Sequence, residues 1–222
     1  MNNVFIPISR EEISQRGWES IDFLLISGDA YVDHPSFASA LIARVLEQRG
    51  YKVAIMPQPD WHNLENFAAL GKPNYAVLIC GGNLDSMLCH YTAAKKPRKV
   101  DKYTPGGVMG KRPDHATVVY SRCIKKLWHQ MPVIIGGIEA SLRRFVHYDY
   151  WEDALMPSIL EDSGADLLIF GMGERQITEI ADYLAGGADI RDIHHIADCL
   201  CSCRKGFYSS RRERGISLPC SN

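Results

Sequence analysis

The sequence predicts an α/β fold in which helices cover both faces of a doubly wound, mostly parallel sheet of five strands. The first observation is a set of short apolar runs, rich in β-branched residues, at residues 21–27, 51–56, 75–80, 132–135 and 165–170. Runs that are apolar on both faces are typical of strands buried between two helical layers. The second observation is that segments with helical apolar spacing alternate with these runs. The third is that four of the runs end in turns that contain glycine.

The elements follow one another in a regular order. A short helix is predicted to begin at Ser9, because Glu12 follows it at the spacing of a capping box. The first strand leads through a polar loop into an amphipathic helix that Gly50 ends. Later helices are predicted at residues 63–70, 84–94, 116–130, 139–146, 151–163 and 175–184. The expected strand order is 2-1-3-4-5, the flavodoxin-like variant of a Rossmann-like sheet.

Three regions fall outside this alternation. Residues 1–20 are a leader, residues 21–186 form the predicted domain, and residues 187–222 are expected to be a loosely structured tail. Within the domain, residues 95–115 show no apolar period and form an unusually long loop. We expect this loop to be mobile when no partner covers it.

The composition narrows the classes of function. A net charge of −1 gives no general attraction to nucleic acid or to a membrane surface. No apolar stretch approaches the roughly 20 residues that span a bilayer, and the first residues do not resemble a signal peptide. We therefore expect a cytoplasmic protein with no membrane partner, no nucleic-acid partner and mostly reduced cysteines.

The glycine turns indicate where a ligand would bind. In open parallel sheets the ligand lies at the carboxyl edge of the strands, and glycine lets backbone approach it closely. The candidates for a ligand pocket are therefore Gly28, Asp29, Asp33, His34, Gly81, Gly82, Asn83, Gly136, Gly137, Glu139, Gly171, Gly173 and Glu174.

Two of these candidates are carboxylates that follow a glycine turn at the start of a helix. Glu139 and Glu174 fit a helix N-terminus, where the helix dipole favours negative charge. The alternative is a shared pocket at the edge of the sheet, which would not suit an anionic ligand. Both interpretations remain open from the sequence.

Six unusual strings resemble one protein family. They are residues 28–36 (GDAYVDHPS), 101–107 (DKYTPGG), 111–114 (KRPD), 136–145 (GGIEASLRRF), 147–151 (HYDYW) and 171–174 (GMGE). Together they resemble the N-terminal domain of YgiQ-type radical S-adenosylmethionine (radical SAM) proteins, and the resemblance covers roughly residues 5–196. It implies a fold like that of cobalamin-binding domains, followed in such proteins by a catalytic barrel.

The resemblance also implies cofactors that this sequence is not expected to hold. In such proteins the barrel has a Cys-x-x-x-Cys-x-x-Cys motif that binds a 4Fe–4S cluster and leaves one iron free for S-adenosylmethionine. No such motif occurs in these 222 residues. We therefore expect no catalytic residues and no metal site here. The chain would be a truncated product, a split-gene half or a fragment, inactive alone, with the barrel as partner in cis or in trans.

Cobalamin is not expected to bind. Mutase-type cobalamin domains have Asp-x-His-x-x-Gly in the first loop, whereas Asp33 and His34 are adjacent and no glycine follows at that spacing. The remaining interpretations of these two residues are helix capping and a position facing a ligand. Cys199, Cys201 and Cys203 could hold zinc, but they have no distant partner pair.

The long loop has seven basic residues and one acidic residue between positions 95 and 112. A solvated face, docking onto a catalytic barrel, and RNA or phosphate binding are the alternatives, and the lack of interleaved aromatics disfavours nucleic acid. The docking candidates are Lys102, Tyr103, Thr104, Gly106, Gly107, Lys111 and Arg112. Two functions follow: an accessory domain of a radical SAM enzyme of unknown substrate, or a stand-alone module that binds a small molecule or a partner.

Overall fold

The computed structural model describes residues 5–193, 195–203 and 206–210. Its centre is a sheet with the strand order β2-β1-β3-β4-β7-β8-β9. The strands of this sheet are β1 (Phe23–Ser27), β2 (Val53–Pro57), β3 (Ala76–Cys80), β4 (Val133–Gly136), β7 (Leu167–Ile169), β8 (Cys199–Cys203) and β9 (Gly206–Ser210). The first five are parallel to one another. The predicted fold class and the order of these five strands are confirmed.

Helices lie on both faces, as the doubly apolar strands require. They are α1 (Arg10–Gln15), α2 (Ala38–Gln48), α3 (Ser86–His90), α4 (Ala116–Leu127), α5 (Gly137–Leu142), α6 (Ile159–Ser163) and α7 (Glu174–Ala185). Alternate residues of each strand enter different apolar clusters: Leu24 packs in the cluster with α4, and Leu25 packs in the cluster with α2 and α7. The clusters are the two halves of the core, one on each side of the sheet.

A hairpin replaces most of the helix predicted at residues 151–163. Strands β5 (His147–Asp149) and β6 (Ala154–Met156) pair in antiparallel fashion, and α6 begins only at Ile159. The Asp149 carboxylate accepts hydrogen bonds from the backbone N–H groups of Trp151 and Glu152, at 2.7 and 3.1 Å. Asp153 has a φ of +53°. These features make a tight turn, which the apolar spacing alone did not reveal.

The region after Gly186 is more ordered than the expected loose tail, as far as the structure describes it. Ile190, Ile193 and Ile196 are buried against the face of the sheet that α7 covers. Strand β8 then pairs with β7 in antiparallel fashion, so that Cys199 lies opposite Ile169. Burial of these side chains and the hydrogen bonds to an otherwise open sheet edge hold the segment. Its low apolar content concealed this.

Candidate functional site

A pocket lies at the carboxyl edge of the parallel strands. It has a volume of about 270 Å³ and is bounded by strand ends on one side and by α2 and α7 on the other. Its floor is apolar, with Leu25, Leu78 and Ile134 from three adjacent strands. This is the position at which doubly wound sheets bind ligands.

Seven of the thirteen candidate pocket residues line this cavity. They are Gly82, Asn83, Gly136, Gly137, Gly171, Gly173 and Glu174. Glu174 is the one charged residue in the lining that the structure describes, and it is half-buried. Sequence reasoning missed the wall supplied by Ser36, Ser39, Ile42 and Ile177. The apolar spacing of α2 was visible, but spacing does not distinguish a pocket wall from a packed core.

Asp29 lies instead in a buried polar cluster beneath the edge. Nη1 of Arg112 lies 2.8 Å from Oδ1 of Asp29, and Nη2 of Arg112 lies 3.1 Å from Oδ2 of Asp101. Oδ2 of Asp29 accepts the backbone N–H of Asn83 at 2.7 Å. Burial raises the pKa of Asp29, and the Arg112 guanidinium opposes that rise. The cluster therefore joins the loop after β1, the loop after β3 and the long loop.

Two glycines at this edge make room for protein rather than for a ligand. A Cβ atom on Gly28 would lie 2.2 Å from the carbonyl oxygen of Gly81. Gly82 has a φ of +115°, and its Cβ would lie 2.1 Å from Oδ1 of Asp29. The approach of Gly81 is therefore sufficient to require glycine at position 28, which does not line the pocket. At Gly82, which does line the pocket, the buried cluster is what requires glycine.

Glu139 connects helix N-termini and does not share a pocket with Glu174. Its Oε2 accepts the backbone N–H of Ser86, and its Oε1 accepts the backbone N–H of Thr117, each at 2.8 Å. Its side chain is buried. These donors lie in the first turns of α3 and α4, where backbone N–H groups lack partners within the helix. Glu139 does lie in the first turn of α5, but its carboxylate accepts from the N-termini of α3 and α4 rather than from that of its own helix.

Asp33 and His34 do not cap α2. Phe37 occupies the N-cap position, without a side-chain hydrogen bond. Asp33 instead forms an ion pair with Arg44, which lies near the middle of α2. His34 is exposed, and its Nδ1 accepts the backbone N–H of Ser36 at 3.1 Å. Neither residue lines the pocket.

The long loop is anchored to the domain. The Thr104 hydroxyl oxygen accepts a hydrogen bond from Nε2 of Gln58 at 2.6 Å, and the backbone N–H of Ala30 donates to the carbonyl of Tyr103 at 2.9 Å. Thr104 and Arg112 are buried, which removes them from the set of candidate docking residues. The exposed candidates are Lys102, Gly106 and Lys111, and Tyr103 and Gly107 are half-buried. The expected mobility of this loop lacks structural support.

The cysteines whose side chains the structure describes are not arranged as an iron–sulfur or zinc site. Among the residues that the structure describes, no three histidine, cysteine or acidic side chains are placed to hold a metal ion. Cys199 and Cys201 are buried in β8, and burial raises the pKa of Cys199 to about 12.

None of the helices in the described residues is both long and apolar enough to cross a membrane.

Relatives resemble this chain over one part of their length. The UPF0313 protein CPE1196 of Clostridium perfringens strain 13 is 55% identical over 194 residues, which are 87% of this chain and 29% of the relative. A UPF0313 protein from a type A strain of Clostridium botulinum is 53% identical over 197 residues, which are 88% of this chain and 30% of the relative. The chain thus spans less than a third of each relative.

Two solved structures of TsrM from Kitasatospora setae, a radical S-adenosylmethionine methyltransferase, have a similar fold. The form with tryptophan substrate and a SAM analog bound matches 86% of this chain and 30% of TsrM, with a TM-score of 0.58. The form with cobalamin and a 4Fe–4S cluster bound matches 89% of this chain and 30% of TsrM, with a TM-score of 0.55. Both are 20% identical in sequence, so the likeness concerns the fold alone.

The sequence profile of the family described as Radical SAM N-terminal matches residues 5–220. The match includes every string on which the resemblance was based. This chain belongs to the radical SAM N-terminal family.

Proposed function

We propose that this chain is the N-terminal accessory domain of a radical SAM enzyme and does not itself perform the radical chemistry. The observation that supports this most is the extent of the matches. The family profile covers residues 5–220, while the matched region is 29% and 30% of two relatives. The catalytic part would lie in the remaining length of such proteins, in cis or as a separate chain, in the cytoplasm.

The 4Fe–4S cluster and S-adenosylmethionine belong, in this proposal, to that catalytic part. The five cysteines whose side chains the structure describes do not fit a cluster, because they are buried and do not converge. What the chain contributes is a rigid α/β scaffold with a pocket at one edge. The substrate and the reaction are not assigned.

Anaerobic reconstitution with iron and sulfide tests this division of roles. We expect no stoichiometric cluster on this chain, and a cluster on the full-length Clostridium perfringens relative treated in parallel. Iron and sulfide analysis and the visible absorbance of the cluster give the readout. About one cluster per chain here, lost when Cys199→Ser and Cys201→Ser are combined, would overturn the proposal.

A second candidate function is small-molecule binding without catalysis, and the pocket favours it. A cavity of about 270 Å³ suits one small apolar group, with the Glu174 carboxylate at its rim. We propose that cobalamin is not this ligand, because His34 is engaged with its own loop and lies outside the pocket lining. A saturable spectral change on titration with hydroxocobalamin, abolished by His34→Ala, would contradict that.

A further inference from the structure

Exposed large apolar side chains are most numerous in one region of the part of the chain that the structure describes. Ten such side chains are more than half exposed; six of them lie in this region, with values from 53% to 76%, and the others are Phe5, Val100, Val108 and Met172. We call the six the α5–hairpin surface: Leu88, Leu142, Phe145, Val146, Tyr148 and Leu155. They follow the carboxyl ends of β3 and β4, on α3, on α5 with the residues after it, and on the β5–β6 hairpin.

Direct contacts join the elements of this surface. Arg143, at the end of α5, forms an ion pair with Asp85 at the start of α3. The carbonyl of Arg143 also accepts the backbone N–H of Ile159 at 2.8 Å, just after the hairpin. In the hairpin, Tyr148 pairs directly with Leu155, so both side chains stand on the same face. The six residues therefore belong to adjoining elements.

The β5–β6 hairpin is held in place by contacts with residues that follow α3. The Tyr150 hydroxyl donates a hydrogen bond to the carbonyl of Ala93 at 2.9 Å. The Lys95 ammonium donates to the carbonyl of Trp151 at 3.1 Å and lies 4.7 Å from the centre of the Tyr150 ring. The exposure of Tyr148 thus belongs to an anchored element and is not the result of a loose loop.

The long helices give a contrast within the same molecule. Among the large apolar residues of α2, α4 and α7, Tyr183 alone is exposed, at 43%. The exposed apolar side chains are therefore few on the long helices and most numerous on the α5–hairpin surface. Contiguous exposed apolar surface rimmed by polar groups marks an interaction site.

We propose that the α5–hairpin surface is where the catalytic part of the radical SAM protein packs against this domain. The proposal rests on the function proposed above and names its contact face. The chain spans less than a third of its relatives, so most of their length lies outside the matched region. The surface also adjoins the pocket, because Ile138 of α5 lines the cavity and is itself 43% exposed. A domain packed here would therefore lie next to the pocket.

The assignment replaces the basic loop as the expected docking element. Arg112 and Thr104 of that loop are buried within the domain. The loop also exposes Val100 and Val108, but the α5–hairpin surface presents six large apolar groups, two of them aromatic. The buried centres of protein interfaces favour such groups over lysine.

Photochemical carbene labelling, read by peptide mass spectrometry, tests the proposal on intact proteins. This chain and the full-length Clostridium perfringens relative are labelled in parallel. At positions aligned with the six residues, we expect labelling to be at least about five-fold lower in the relative, as for the core of a buried interface. Positions aligned with Leu64 and Tyr183, exposed on other parts of the fold, should label equally in both proteins.

A matched pair of variants in the relative sharpens the test. Glutamate at the position aligned with Leu155 should raise labelling at the other five positions, whereas glutamate at the position aligned with Tyr183 should not. Equal labelling of the six positions in both proteins would overturn the proposal. So would labelling of this chain that rises on dilution, because a second copy would then cover the surface. If the relative binds no cluster, the proposed function fails instead, whatever the labelling shows.

Discussion

Arg112 and Asp29 form an ion pair of 2.8 Å inside the domain, 83 positions apart in the chain, with both side chains almost completely buried. Asp101 contacts the same guanidinium from within the long loop. Because a buried charge is tolerated only when it is paired and hydrogen-bonded, this cluster determines how the long loop and the turn after β1 must sit.

Removing the cation should therefore destabilise the fold strongly. We expect Arg112→Met to lower the free energy of unfolding by about 3–5 kcal/mol, because Asp29 and Asp101 would be left buried without a counter-charge. Adding Asp29→Asn and Asp101→Asn should recover much of the loss. Urea denaturation followed by circular dichroism measures both. Lys102→Met, an exposed cation of the same loop, should leave stability unchanged, and an equal loss in that variant would contradict the assignment.

Glu139 should matter for folding rather than for ligand binding. In Glu139→Gln, an amide group would face one of the two backbone N–H donors of Ser86 and Thr117. Leaving such a buried donor unsatisfied costs about 1–3 kcal/mol. Glu174→Gln, at the half-buried pocket rim, should leave the unfolding free energy close to that of the original chain. Thermal unfolding of the two variants measures the difference. A larger loss of stability in Glu174→Gln than in Glu139→Gln would contradict the prediction.

Glycines with a positive φ differ in how much space a Cβ atom would have. Gly82→Ala combines a positive φ with a Cβ atom 2.1 Å from Oδ1 of Asp29, so the Asp29–Arg112 pair would have to move. Gly110→Ala has a positive φ but open space around its Cβ, and should cost about 1–2 kcal/mol from the backbone alone. We expect Gly82→Ala to be clearly the more damaging. Similar unfolding midpoints in urea would show that the cluster tolerates displacement.

The parallel sheet could be predicted from the sequence, because runs that are apolar on both faces, such as residues 75–80, are typical of strands covered by helices on both sides. The start of α1 at Ser9 was also predicted correctly, since the Ser9 hydroxyl accepts the backbone N–H of Glu12. The Glu12 carboxylate accepts the backbone N–H of Ile8, one residue before the position that a capping box uses. The hairpin at residues 147–156 was missed because its turn depends on one aspartate, Asp149, within a helix-compatible pattern.

The candidate site was predictable only in part. The glycine turns located the edge, and seven of the thirteen candidates line the pocket, whereas the residues of α2 and Ile177 that complete it were not predicted. Whether Asp29 faces a ligand or Arg112 depends on a pairing between residues far apart in the chain, which a single sequence does not reveal. The apolar contacts of β8 were likewise hidden, because Cys199 and Leu200 fall in a segment of otherwise polar composition.

The buried cysteines should resist alkylation, and raising the pH to 9 should not make them reactive. Burial raises the pKa of Cys199 to about 12 and that of Cys80 to about 11. An unperturbed thiol ionises near pH 8.5, so between pH 7 and 9 these two stay protonated while an exposed thiol becomes reactive. Iodoacetamide labelling with peptide mass spectrometry should show little modification of either at pH 9, and full modification in urea.

The basic loop should resist trypsin in the folded chain and lose that resistance when its anchor is removed. Cleavage after Lys102 or Lys111 requires local opening, and the Arg112 contacts to Asp29 and Asp101 oppose it. In Arg112→Met, under conditions in which the chain remains folded, we expect these sites to be cut at least about ten-fold faster, as a loss of more than 1.4 kcal/mol of local stability implies. Lys99→Met removes an exposed cation from the same loop without touching the cluster, and should leave the rate of cleavage at Lys102 and Lys111 unchanged. If the original chain is cut there first and as fast as the Arg112 variant, the cluster does not anchor the loop, and the exposed lysines return as candidates for contact with a catalytic domain.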